Sequence, residues 1–345
     1  MPLIESSITP AASSGLSDAL AATAATYNKV RHLIPEVEWA AYAPLIVEIE
    51  QLKHERNAVV LAHNYQTPQI FHGVADITGD SLALAKRASE TDAEVIVLCG
   101  VHFMAETAKI LNPQRTVLIP DLEAGCSLAE SITADDVRAL KAKHPGVPVV
   151  TYVNTSAEVK AETDVCCTSA NAVEVVESLG TERVIFLPDE YLGKWVAANT
   201  EVEVILWNGH CEVHEQFTVE EIANYRRQFP GVRVIAHPEC DLDVLESADM
   251  VGSTSGMIDW VQQNRPERVV MITECSMSDN VAAEFPDVEF VRPCTICPHM
   301  KKISLEGIVA CLEKLQYPVE VSPEIARRAR RSVQRMLEVG RGPRG

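Results

Sequence analysis

Three apolar, strand-like runs each close on a cysteine: TVLIPDLEAGC at Cys126, EVEVILWNGHC at Cys211 and VEFVRPCTIC at Cys297. The cysteines lie 85 and 86 residues apart. A fixed period means that one supersecondary unit is used three times, which constrains the fold more than any local propensity does. Other landmarks keep the same frame. Seven residues after each cysteine stands a hydroxyl suited to cap a helix, Thr133, Thr218 and Ser304, and the first two carry an acid at the third helical position, the mark of a capping box. Each of these helices stops near a proline, at Pro145, Pro230 and Pro318. NAVVLAHNY, VPVVTYVNT and VRVIAHPEC open the units, and AEVIVLCG, ERVIFLPD and ERVVMITE sit near their middles. β-Branched runs that alternate with helical patterns imply parallel β-α units. The expected fold is α/β: three similar three-layer α/β/α domains with parallel sheets, arranged around a pseudo-threefold axis.

The period places these domains at 37–145, 146–230 and 231–317, after a flexible, Ala/Ser-rich extension over 1–36. A C-terminal helix within 318–340 is expected to join the first domain, with Ser322 as cap, Pro323 at its first position and its arginines on a solvated or inter-domain face. The stretch 37–56 has helical periodicity with Leu45, Ile49 and Leu52 near one face, and Pro44 is expected to break or kink it.

With 345 residues, of which 47% are hydrophobic, the chain can fill several cores. A formal charge of −19 argues against nucleic acid or an anionic membrane as partner. An anionic substrate would need a local basic or hydrogen-bonding pocket. The N-terminus lacks the basic and apolar regions of a secretory signal, and no apolar run approaches the roughly 20 residues of a membrane span. A cytoplasmic location follows as the expectation, with the ten cysteines reduced.

Ligands of open parallel sheets bind beyond the carboxyl ends of the strands. There the first unit offers His63, Asn64 and Tyr65, the second Tyr152 and Asn154, and the third His237 and Glu239. The second strand–helix junction of each unit carries hydroxyls: Ser81, then Thr168 and Ser169, then Ser253 and Thr254. At a helix N-terminus such groups either cap the helix or hold a carboxylate or phosphate. Three domains around a common centre would bring Cys126, Cys211 and Cys297 together. Three thiolates suit a [4Fe–4S] cluster with one iron free of protein ligands, a Lewis acid that can assist loss of water. A zinc site from Cys211, His214, Cys294 and Cys297 competes, although it leaves Cys126 unexplained. In the cluster reading Cys294 is a spare thiol, and His210, His214 and His299 are packing or supporting residues.

AHNYQ, GDSLALAKRA, FMAETAKILNP, YVNTSAEVKA, TSANAVEVV, GHCEVH, HPEC, GSTSGMI and CPHMKKISLEGI together resemble the quinolinate synthase family of bacterial NAD biosynthesis, over about residues 57–339. The resemblance implies three α/β/α domains around a [4Fe–4S] cluster, and condensation of iminoaspartate with dihydroxyacetone phosphate to quinolinate, phosphate and water. It makes L-aspartate oxidase a candidate supplier of iminoaspartate. Carried over by motif, it implies Cys126, Cys211 and Cys297 as cluster ligands, and His63, Tyr65, Ser81, Tyr152, Asn154, Ser169, His237, Glu239 and Thr254 as substrate residues. Glu239 is the expected general base, with His237, Tyr65 and Tyr152 as proton donors or shuttles. One departure is Val291, where some members carry the first cysteine of a C-x-x-C-x-x-C. It removes any thiol regulation that relied on the fuller set.

Overall fold

The computed structural model describes residues 11–293 and 295–339, with side chains from residue 15 onward. Twelve strands form three four-stranded parallel sheets. The first holds Ala58–His63 (β1), Ile77–Gly79 (β2), Val95–Cys99 (β3) and Thr116–Leu118 (β4), in the order β2-β1-β3-β4. Val149–Tyr152 (β5), Val165–Cys167 (β6), Arg183–Leu187 (β7) and Glu203–Leu206 (β8) repeat that order as β6-β5-β7-β8. Arg233–Ala236 (β9), Met250–Val251 (β10), Arg268–Ile272 (β11) and Glu289–Val291 (β12) repeat it as β10-β9-β11-β12. The central strands are continuous runs such as Val95–Cys99, buried throughout, because helices cover both faces of a parallel sheet. The caps expected from sequence are present: Thr133 and Thr218 form full capping boxes, and Ser304 accepts from the Gly307 N–H.

An aspartate opens the second strand of every unit, a regularity that the cysteine period had not drawn attention to. Asp76, Asp164 and Asp249 each donate a backbone N–H to the first strand, at Val60, Val149 and Val234. Each takes back the N–H of that same valine on its carboxylate, at 2.8, 2.8 and 2.7 Å. The pair fixes register where the edge strand is only two or three residues long. Asp164→Ala leaves the Val149 N–H without its acceptor, and should cost about 1–3 kcal/mol. Urea unfolding checks this: a lower midpoint with an unchanged slope is the expected result.

Three expectations need correction. The extension read as flexible is helical over its described part, at Ala11–Ala22 and Ala24–Val30. Alanine is the strongest helix former, and Ala19, Val30 and Ile34 are buried, with Trp39 donating to Thr23 Oγ1 at 3.1 Å and stacking on Tyr27. Of the break or kink expected at Pro44, the break is absent: its helix runs from Glu36 to Glu55 and buries Trp39, Ala43, Ile46, Ile49 and Lys53, leaving Leu45 and Leu52 at the margin. The C-terminal helix, Pro323–Glu338, lies mainly on the second unit rather than the first. Ser332 donates to Lys160 O at 2.8 Å, Arg335 to Asp164 O at 2.9 Å, and Asn171 to Met336 O at 3.3 Å. It reaches the first unit through Arg330, which donates to the carbonyls of Ile110 and Leu111. What adds to the first sheet is the segment before it, where Val319 N–H bonds Val117 O at 2.8 Å.

Candidate active site

The strand ends of all three sheets open on one cavity. Its wall includes every residue that the family resemblance implied for the site, His63, Tyr65, Ser81, Cys126, Tyr152, Asn154, Ser169, Cys211, His237, Glu239, Thr254 and Cys297, whereas Asn64 and Ser253 are not part of it. Val101, Phe103, Met104, Val213 and Met300 make its apolar side. Among the described residues that line it there is no lysine or arginine. An anion here would be held by neutral hydrogen-bond donors, which suits a chain with a large negative charge.

The three cysteines share one local geometry. Cys126 is followed by the short helix Ser127–Glu130, and its sulfur faces the N–H groups of Ala129 and Leu128. The Cys211 sulfur faces those of His214 and Val213, and the Cys297 sulfur those of Met300 and His299, each at a 3-10 turn. Two main-chain donors two and three residues on form a small anion nest. Burial nevertheless pushes the Cys126 thiol up to about 12 and raises those of Cys211 and Cys297. Such thiols are poor nucleophiles on their own. Bonded to a metal they ionise outright, and each nest then has a charge to stabilise. All three are free of disulfides. The donor set therefore fits a metal–sulfur group.

A polar chain runs beside them. Glu239 Oε2 lies 3.2 Å from His237 Nδ1 and 2.9 Å from His214 Nδ1, and His237 Nε2 lies 3.2 Å from Ser169 Oγ. The two imidazoles stack with centroids 4.6 Å apart. Burial would raise the Glu239 carboxyl, but His214 and His237 outweigh it and hold it well below the ordinary carboxylate range. Burial lowers His237 against the pull of Glu239, and with His237 beside it takes His63 down to about 3. Tyr65 and Tyr152 are raised well above the usual phenol value, first by burial and then by Glu239. Glu239 is thus held as a carboxylate, His63 and His237 are biased toward the neutral imidazole, and Tyr65 and Tyr152 toward the protonated phenol. Glu239 Oε1 and Asn154 Oδ1 are buried without a partner among the described residues, as polar atoms awaiting a ligand would be.

Whether the junction hydroxyls cap helices or face a ligand is decided by single-residue offsets. Asp80 caps the helix Ser81–Glu90 by accepting from Ala83 N–H, and Ser253 caps Thr254–Asn264 by accepting from Gly256 N–H. Ser81 and Thr254 stand one residue later and are released from capping; Thr254 Oγ1 accepts from Asn64 Nδ2 at 2.9 Å. The second unit departs from this pattern. Asn171 stands at the cap position of the helix Ala172–Ser178, and Ser169 lies in the turn before it, facing His237.

Sequence reasoning undervalued the residues that aim Tyr65. Asn280 donates to the carbonyls of Asn64 and Gln66 at 3.0 and 2.7 Å, and Lys301 Nζ donates to that of Tyr65 at 2.8 Å. Three successive carbonyls of the first unit are thus held by the third. The Tyr65 hydroxyl meets Thr273 Oγ1 at 2.5 Å, and Thr273 meets His214 Nε2 at 2.9 Å. His214, expected to be a supporting residue, is the hub of this network, and the sequence signals for it were its spacing from Cys211 and its place in GHCEVH. Cys211, His214 and Glu239 place one donor atom each within 4.8 Å of one another, a mixed set that could hold a single ion. It leaves Cys126 and Cys297 without a role. Cys294, the fourth donor of the zinc alternative, lies outside the described residues.

A model of the family described as quinolinate synthetase A protein matches residues 47–338. The chain is 63% identical to quinolinate synthase 2 of Mesorhizobium japonicum over 313 residues, 91% of this chain and 97% of that one. It is 61% identical to the quinolinate synthase of Agrobacterium fabrum over 316 residues, 92% of each chain. To that of Xylella fastidiosa it is 61% identical over 294 residues, 85% of this chain and 87% of the other.

Proposed function

The chain belongs to the quinolinate synthetase A protein family, and from that premise we propose that it condenses iminoaspartate with dihydroxyacetone phosphate to quinolinate, phosphate and water in de novo NAD biosynthesis, as a cytoplasmic enzyme supplied with iminoaspartate by L-aspartate oxidase. The observation that carries this reading is the meeting of three similar cysteine nests with the polar ends of three sheets in one cavity. Cys126, Cys211 and Cys297 would hold a [4Fe–4S] cluster. When bound, it supplies one iron without a protein ligand, a Lewis acid suited to loss of a hydroxyl as water.

The other groups bind, orient and move protons. Ser81, Thr254 and Ser169, with the Asn154 amide, hold carboxylates through neutral donors, and the apolar wall of Val101, Phe103 and Met104 keeps water from the reacting face. Glu239 stays ionised and accepts from His237 Nδ1, which fixes the tautomer and leaves Nε2 as the atom that takes a proton. Its partnerless Oε1 gives the substrate a second acceptor. Tyr65 and Tyr152, kept protonated by burial and by Glu239, return protons to leaving oxygens.

Protein purified without air should contain about four irons and four sulfides per chain, form quinolinate from the two substrates and bind quinolinate itself. Colourless protein with about one zinc per chain would overturn the cluster. It would point instead to the ion site of Cys211, His214 and Glu239.

A further inference from the structure

The helix after the third strand of each unit begins at an equivalent place. Val101, Asp189 and Glu274 stand at the N-cap positions of His102–Leu111, Glu190–Ala198 and Cys275–Glu284. The residue that follows each donates its N–H to the carbonyl two residues before the cysteine of that unit: His102 to Ala124 at 2.8 Å, Glu190 to Gly209 at 2.8 Å, and Cys275 to Thr295 at 2.9 Å. The backbones match. The side chains do not.

Asp189 Oδ1 accepts from Leu192 N–H at 2.6 Å, Oδ2 has no hydrogen-bond partner among the described residues, and the carboxyl lies beside the N–H groups of Cys211 and Tyr191. Glu274 accepts from Ser276 N–H at 2.8 Å, meets Lys301 Nζ at 2.9 Å, and faces the N–H of Cys297. Both are 0% exposed. Capping alone does not call for a buried carboxyl, since a hydroxyl or amide caps a helix as well at far lower desolvation cost. One oxygen serves the helix start in each case, which leaves the other free to lie beside the main chain of a cysteine. At the third position Val101 makes no cap bond.

We infer that Asp189 and Glu274 are positioning residues for two of the three cysteines, Cys211 and Cys297, and that Cys126, backed by Val101, is the least braced of the set. Each carboxyl lies between the end of the third strand and the cysteine's own peptide, and so limits how far that peptide can turn the sulfur away from the cavity whether or not anything is bound. Glu274 extends the brace through Lys301 to the Tyr65 carbonyl, which ties Cys297 to a substrate residue 2.8 Å from that ammonium. The inference rests on the cluster reading above, and concerns ligand support rather than chemistry on the substrate.

The test follows the loss of iron, by the fall in visible absorbance when an iron chelator is added without substrate. The parent, Asp189→Ala, Glu274→Ala and Ser322→Ala are compared after anaerobic purification. Ser322→Ala removes the cap of the C-terminal helix, which carries none of the three cysteines, and controls for lost stability. Asp189→Ala and Glu274→Ala should release iron roughly tenfold faster or more, the usual effect of deleting a group that orients a metal ligand. Ser322→Ala should match the parent. If the alanine variants do not fold, Asp189→Asn and Glu274→Gln decide. Each keeps an oxygen for the helix start and puts an amide N–H in place of the other oxygen, so faster release supports the inference and parental release overturns it. Parental rates in folded alanine variants of an iron-bearing parent overturn this inference alone. A parent without iron overturns the functional reading and this inference with it.

Discussion

Serine at Cys126, Cys211 or Cys297 is expected to take bound iron from about four per chain to near zero, and to abolish quinolinate formation. Each sulfur sits against two main-chain N–H groups that favour its anion. A serine hydroxyl cannot use that nest, because it ionises far less readily than a thiol and is a poor ligand for iron in sulfide. The loss should therefore be complete at all three positions. Cys240→Ser is the control. It is buried beside Glu239 but faces Ile272 O, with no cavity wall to its sulfur, and it should keep the cluster. Cys294→Ser should keep it too. Iron and sulfide assays on the five variants settle the choice within the C-x-x-C, for loss at Cys294 with retention at Cys297 would refute the ligand set.

Glu239→Gln should leave the cluster spectrum intact and lower quinolinate formation by roughly 10² to 10⁴. The carboxylate accepts from two imidazoles through Oε2 and presents Oε1 to the cavity. A glutamine has only one oxygen. If that oxygen faces the imidazoles, an N–H replaces the acceptor offered to the substrate. If the amide nitrogen faces them, His214 and His237 must each present a lone pair, and His237 Nε2 can no longer take a proton. Either orientation also removes a charge that adds to burial in raising the Tyr65 and Tyr152 phenols. A role limited to packing would leave the rate almost unchanged, because the two side chains have the same shape. Anaerobic assays at matched iron content separate the two cases, and more than half the parental rate would sink the catalytic role.

Much of the fold was legible because its signals are local. A cap, a β-branched run and a proline act within a few residues, and three copies in phase made them mutually supporting. Thr133, Thr218 and Ser304 cap helices because the next three residues require it, whatever packs on them later. The site was legible for a related reason. Polar groups at the carboxyl ends of parallel strands have nowhere to point except beyond the sheet, so His63, Tyr152 and His237 were bound to face whatever lies there. Ala/Ser-rich composition misled at the N-terminus because disorder and an alanine helix look alike until Trp39 and Thr23 are seen in contact.

By itself, then, the sequence determined the threefold repeat, the strand and helix order within each unit, and which side chains can supply thiolate, imidazole and carboxylate. Only the tertiary structure decided which of two neighbours caps a helix and which is released to the cavity, as with Asp80 and Ser81. It alone joined Asn280 to a loop 214 residues away and made His214 the centre of a network. It also moved the match for Asp189 and Glu274 from Gly100, where the aligned strings put it, to Val101. The physical reason is that capping and strand formation minimise free energy over short spans of chain. Burial, the pairing of unpaired donors and acceptors, and the meeting of three sheets are set by contacts among residues far apart in sequence, whose geometry exists only once the chain has folded.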